Sequence, residues 1–146
     1  MPNYGGAAIA TPAAASGAAY FTINTNGTRR VRIYKFLVTN TQTVFSQFGL
    51  IRASNTPVTA APITPAQYDV ADAAATAQCA TTWTTPPTVG TSFLQSVSLG
   101  PSQGAGLADQ WQSDKEITLA VSTWLVVWNS GAGAGGILSV TVAFDE

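Results

Sequence analysis

The acid–base chemistry open to this sequence rests on seven carboxylates: Asp69, Asp72, Asp109, Asp114, Glu116, Asp145 and Glu146. A glycoside hydrolase needs two such groups on facing walls of a cleft, one of them with a raised pKa. The densest group is "ADQWQSDKE" (108–116), where Asp109, Asp114 and Glu116 surround Trp111. It offers oxygens that could hold calcium beside a ring that could stack on a sugar. The plainer reading, and the preferred one, is a polar loop in front of a strand, with Lys115 softening the charge. There is no histidine, which excludes His-based triads, Cys–His pairs and His-containing zinc or copper sites. A nucleophilic serine therefore lacks an imidazole base. A Ser–Lys dyad with Lys35 or Lys115 stays open on sequence grounds, with nothing pointing to it. No catalytic residue, metal ligand or cofactor-binding residue is assigned.

Gly131, Gly133 and Gly136 match the G-x-G-x-x-G spacing of a dinucleotide-binding loop. That loop must follow a strand and open a helix, whose N-terminus holds the pyrophosphate. "TWLVVWN" (123–129) supplies the strand. After Gly136, however, Leu138, Val140, Val142 and Phe144 alternate with Ser139, Thr141 and Ala143. This period of two predicts another strand. The glycine run is read as a flexible hairpin loop that binds no nucleotide.

These pieces need elements to position them. "AAYFTIN" (18–24) reads as a strand with Phe21 and Ile23 on one face. Asn26-Gly27 is a hairpin turn signal, and the Asn26-Gly27-Thr28 sequon is treated as that turn. "RRVRIYKFLVTN" follows as a β-branched and aromatic strand. "TVFSQFGLIRA" (43–53) is a third, with either Phe48 and Leu50 or Phe45 and Ile51 inward. Residues 54–91 form a long excursion. Within it, Thr64-Pro65-Ala66-Gln67 has the form of a helix start, predicting a short helix over 65–72. "ATAQCATTW" reads as a strand ended by Pro86-Pro87. "TSFLQSVSL" (91–99) is another, with Phe93, Val97 and Leu99 on one side. "GPSQGAGLADQ" is a loop and "EITLAV" (116–121) a short strand. In "TWLVVWN", Trp124, Val126 and Trp128 share one face, and Leu125 and Val127 the other. A strand apolar on both faces is buried on both. Core or subunit-interface packing is preferred for these rings, each indole N–H needing a partner.

About eight short strands without a confident long helix predict an all-β sandwich. The long crossover favours a jelly roll, with an immunoglobulin-like sandwich as the alternative. The chain has 146 residues, 46% hydrophobic and only 9% charged, with a net charge of −1. Length and hydrophobicity support one domain with a real core. Low charge leaves a surface of Thr, Ser, Gln, Asn, Gly and Ala, which suits a chain covered by neighbours. A secreted β-domain with a Thr-rich surface fits the same composition. No basic field attracts nucleic acid or anionic lipid, and Arg29, Arg30 and Arg32 read as a local salt-bridging cluster. No apolar stretch is long enough for a membrane helix. Cys79 is alone and reads as a small buried apolar side chain.

Residues 1–17, "MPNYGGAAIATPAAASG", show no core-forming period. They read as an extended N-terminal arm ahead of one domain, 18–146. Such a segment does not pack on itself, and its small residues let the backbone approach another surface closely. Tyr4 and Ile9 are the expected anchors, with Met1, Trp111 and Trp128 as further interface candidates. A chain starting at Ala18 is expected to fold and to bind its partner more weakly.

Three stretches, "RRVRIYKFLVTNTQT", "ATTWTTPPTVGTSFLQSVSLG" and "WLVVWNSGAGAGGILSVTVAFDE", resemble small structural head proteins of tailed bacteriophages, the capsid decoration or cement proteins. The resemblance implies a β-sandwich or jelly-roll homo-oligomer, a trimer being favoured. It would sit on the outer surface of the virion, bind the major capsid protein where capsomers meet, and brace the shell. It implies no catalytic residues. The alternatives are a carbohydrate-binding β-sandwich module, or another virion component such as a head fibre base or tail protein.

Overall fold

The computed structural model describes every residue except Met1, Ile9, Ala10, Asn26, Gly27, Ser113 and Asp114, and omits the side chains of Ala7 and Ala8. The Ile9 anchor, the Met1 interface candidate, the Asn26-Gly27 turn and Asp114 therefore lie outside the described residues.

The chain begins with β1 (Asn3–Ala8), β2 (Ala19–Thr25), β3 (Val31–Asn40) and β4 (Ser46–Arg52). The long excursion holds β5 (Val58–Thr59), β6 (Pro62–Ile63), β7 (Ala66–Gln67), β8 (Ala77–Ala80) and β9 (Trp83–Thr85). Then follow β10 (Gln95–Leu99), β11 (Gly106–Gln110), β12 (Ile117–Leu119), β13 (Trp124–Asn129) and β14 (Leu138–Asp145). The first four strands pair antiparallel with strands from the second half, in reverse order. β1 pairs with β14, β2 with β13, β3 with β11 and β12, and β4 with β10. The β14–β3 and β13–β4 ladders then join these pairs into two sheets, β11-β3-β14-β1-β7 and β10-β4-β13-β2-β8-β6, with β12 beside β11 on β3. A long hairpin wound in this way is a jelly roll, the favoured alternative.

The inner faces make the core. Phe21, Ile23, Phe48, Leu50, Leu125 and Val127 of one sheet meet Ile33, Phe36, Val38, Val140, Val142 and Phe144 of the other, all buried. This is the two-layer packing that alternation along each strand demands. It decides the register of β4: Phe48 and Leu50 face inward, whereas Phe45 is 53% exposed. Ile51 is buried too, on the opposite face beside Val126. There the excursion and the segment after it cover the sheet: the Trp83 indole donates to Thr22 Oγ1 at 3.1 Å, and the Phe93 ring lies against Gly49.

Several expectations are corrected. Residues 3–8 are not part of an arm lying on a neighbour. They form β1, which lies between β14 and β7, and Tyr4 is completely buried in the chain's own core. Gly6 serves this packing, because a Cβ there would come within 2.6 Å of Cys79 Sγ. Helical capping signals at 64–67 fail because Ala66 and Gln67 pair with Gly5 and Tyr4. Pairing along β1 satisfies their backbone groups without a helix. The "GLADQ" part of the expected loop is strand β11. Neither expected hairpin is one: β2 and β3 belong to different sheets, as do β13 and β14. Their connections cross between the layers. Turn signals mark where a chain reverses, but sheet membership is set by where the inner apolar face finds its partner.

Candidate functional site

The segment with the densest chemistry occupies a break in an edge strand. β11 pairs with β3 down to Gln110 opposite Lys35, and the Trp111 amide donates to the Tyr34 carbonyl at 2.9 Å. Pairing resumes at Ile117 opposite Ile33. The ladder on β3 is thus interrupted opposite Tyr34, and beside the interruption lies a groove of about 560 Å³. Trp111, Leu94, Gln95, Arg52, Glu116 and Ile117 are among its walls. Trp111 is half-buried with its inner side against the core. An Arg52 N–H donates to the Thr118 carbonyl at 3.3 Å. The groove combines an aromatic wall with amide, guanidinium and carboxylate groups.

Three of the carboxylates, Asp109, Asp145 and Glu146, act as struts. The Gln95 side-chain amide donates to Asp109 across the open side of the sandwich, linking β10 of one sheet to β11 of the other. On the other side Glu146 accepts from the backbone amides of Thr76 and Ala77 and from Thr76 Oγ1, tying the end of β14 to the start of β8. Asp145 pairs with Arg32 at 2.6 Å. This contact chiefly, with weaker help from Glu116, raises the Arg32 pKa and keeps the guanidinium charged. The expected salt-bridging role of the arginine cluster is thus seen at Arg32. Asp69 accepts from the Ala71 amide and closes a turn. Among the described residues no group of three or more His, Cys, Asp or Glu is placed to hold a metal ion.

The glycine run uses its amides internally. Gly131 N donates to Asn129 Oδ1, Gly135 N to the Ala14 carbonyl, Gly136 N to Ser46 Oγ and Ile137 N to Gln42 Oε1. A phosphate cradle needs such amides free and convergent. The glycine most constrained by its surroundings is Gly135, outside the motif spacing: a Cβ there would overlap the Tyr20 hydroxyl. At Gly133 a Cβ would meet nothing within 4 Å.

Of the remaining interface candidates, Tyr4 is internal, so its expected anchoring role is withdrawn. Trp128 is half-buried on the outer face of β13, and the position of a Cβ at Gly17 lies 4.0 Å from its ring. Trp124 departs from expectation: its indole N–H is buried without a partner. Sequence reasoning missed Gln95, because a neutral amide in a strand carries no signal until a carboxylate from another sheet is placed beside it. In comparison with known proteins, no family model, no curated relative and no solved structure matches the chain.

Proposed function

We propose that this chain is a structural protein of a tailed-phage particle, which binds the major capsid protein on the outside of the shell, stabilises it and catalyses nothing. The observation that carries this reading is the use of three carboxylates as scaffolding. Asp109, Asp145 and Glu146, which could have served as acids or bases, instead brace strands and sheets against one another. A protein that reinforces a shell needs a stiff, neutral body, and a charge content of 9% fits one covered by neighbours. The resemblance of its strand segments to decoration proteins points the same way. A homo-oligomer, with a trimer favoured, belongs to this reading.

Cryo-electron microscopy of particles from the native source tests it. Jelly-roll density at capsomer junctions supports the reading; particles that lack the protein overturn it. A hydrolase screen showing turnover that disappears on Glu116→Gln or Asp114→Asn would overturn the non-catalytic part.

The groove beside Trp111 favours a second reading, a carbohydrate-binding module. Saturable binding of a soluble oligosaccharide, abolished by Trp111→Ala in a chain that still folds, would establish it.

A further inference from the structure

Strand directions bring four connections to one end of the jelly roll: residues 11–18, 41–45, 100–105 and 130–137. They are laced together. The Asn129 amide donates to the carbonyls of Ala14, Ala15 and Gly133, and the Asn40 amide to those of Val44 and Gly100. The Gln42 carbonyl receives the Ile137 amide, and Thr11 Oγ1 the Leu138 amide. Held in this way, the loops form a pre-organised surface, with less ordering entropy to lose on binding.

None of the six lysines and arginines or seven carboxylates falls in these four connections. The opposite end carries Arg29, Arg30, Arg52, Asp69, Asp72 and Glu146, and the outer face of the β3 sheet carries Arg32, Lys35 and Asp145. The charge-free end exposes Val44 and, at 53%, Phe45. Phe45 borders a hollow of about 270 Å³ whose other walls include Gln47, Asn129 and the glycine run.

We propose that this charge-free end is the surface through which copies of the chain associate, with Phe45 as principal anchor. The charge distribution selects a second copy as the occupant. Where identical surfaces meet about a rotation axis, groups near the axis meet their own copies, so any charge there faces a like charge. This end has no charge to place in that position. Interface cores are likewise depleted in charge and enriched in aromatic residues. The proposal rests on the homo-oligomer part of the functional reading and is independent of the capsid.

Sedimentation of the full chain over a range of concentrations tests it. The expected result is a reversible oligomer that changes little between roughly 0.1 and 1 M salt, since no ion pair holds it. Phe45→Lys and Phe45→Glu should each weaken association roughly thirtyfold or more, the scale of an interface hot spot. An equal mixture of the two should reassociate, because opposite charges then meet. Tyr68→Glu, at an exposed position of the charged end, should leave association unchanged. Melting curves confirm that each variant folds. A monomeric full chain overturns the proposal, as does an assembly that survives both Phe45 variants, one lost on Tyr68→Glu, or a mixture that stays monomeric. A monomer that still decorates capsids would overturn this inference alone.

Discussion

Tyr4 stacks on Phe144, with ring centroids 5.5 Å apart and 27° between the planes. The contact joins the first strand to the last within the core, and the Tyr4 hydroxyl donates to the Ala73 carbonyl at 2.9 Å. Tyr4→Ala is therefore expected to cost about 3–5 kcal/mol, the range for deleting a buried aromatic. A chain beginning at Ala18 loses β1 entirely, leaving β14 and β7 without their shared neighbour. It should lack the native near-UV circular dichroism spectrum. A truncated chain that melts like the full one would show that β1 is dispensable.

Gly135 and Gly133 should separate sharply. Gly135→Ala drives a methyl group into Tyr20 and is expected to cost about 1–3 kcal/mol, as overpacking does. Gly133→Ala enters open space and should stay within about 0.5 kcal/mol of the parent. Denaturant midpoints of the two variants decide this. Equal effects would mean the loop is not fixed against Tyr20.

Burial pushes the Cys79 thiol up to about 12. In the unfolded chain it titrates near 8.5. The folded state thus prefers the protonated thiol, and its contribution is fully present below about pH 8.5. It is lost progressively as pH rises towards 12, because the unfolded state releases its proton first. The stability difference between the parent and Cys79→Ala should therefore shrink over that window in urea titrations. Iodoacetamide should label Cys79 only in denaturant; rapid labelling of the native protein at neutral pH would contradict the burial.

Trp124 carries a buried indole N–H with no partner. Leaving such a donor unsatisfied costs about 1–3 kcal/mol. Trp124→Phe removes the donor and keeps most of the apolar surface, so it should be nearly neutral or stabilising by thermal melting. A loss above about 2 kcal/mol would show that the N–H is satisfied in solution.

The sandwich class was legible in the sequence because side-chain alternation is local. Leu138, Val140, Val142 and Phe144 announce an inward face whatever lies opposite. The same alternation removed the nucleotide reading of the glycine run. Local signals misled where a non-local partner intervened. The helix-start pattern at 64–67 yielded to pairing with β1, and a segment rich in Gly and Ala became a core strand once β14 and Cys79 supplied its surroundings.

By itself, the sequence determined an all-β chain, poor in charge, without imidazole chemistry and with a single cysteine. These follow from residue type and from periods of two along single strands. Only the tertiary structure decided which strands share a sheet, that β1 belongs to the core, that Gln95 meets Asp109 across the open side, and that one end is free of charge. Each of these depends on residues far apart in the chain arriving side by side, and that is fixed by how two apolar faces close on one another.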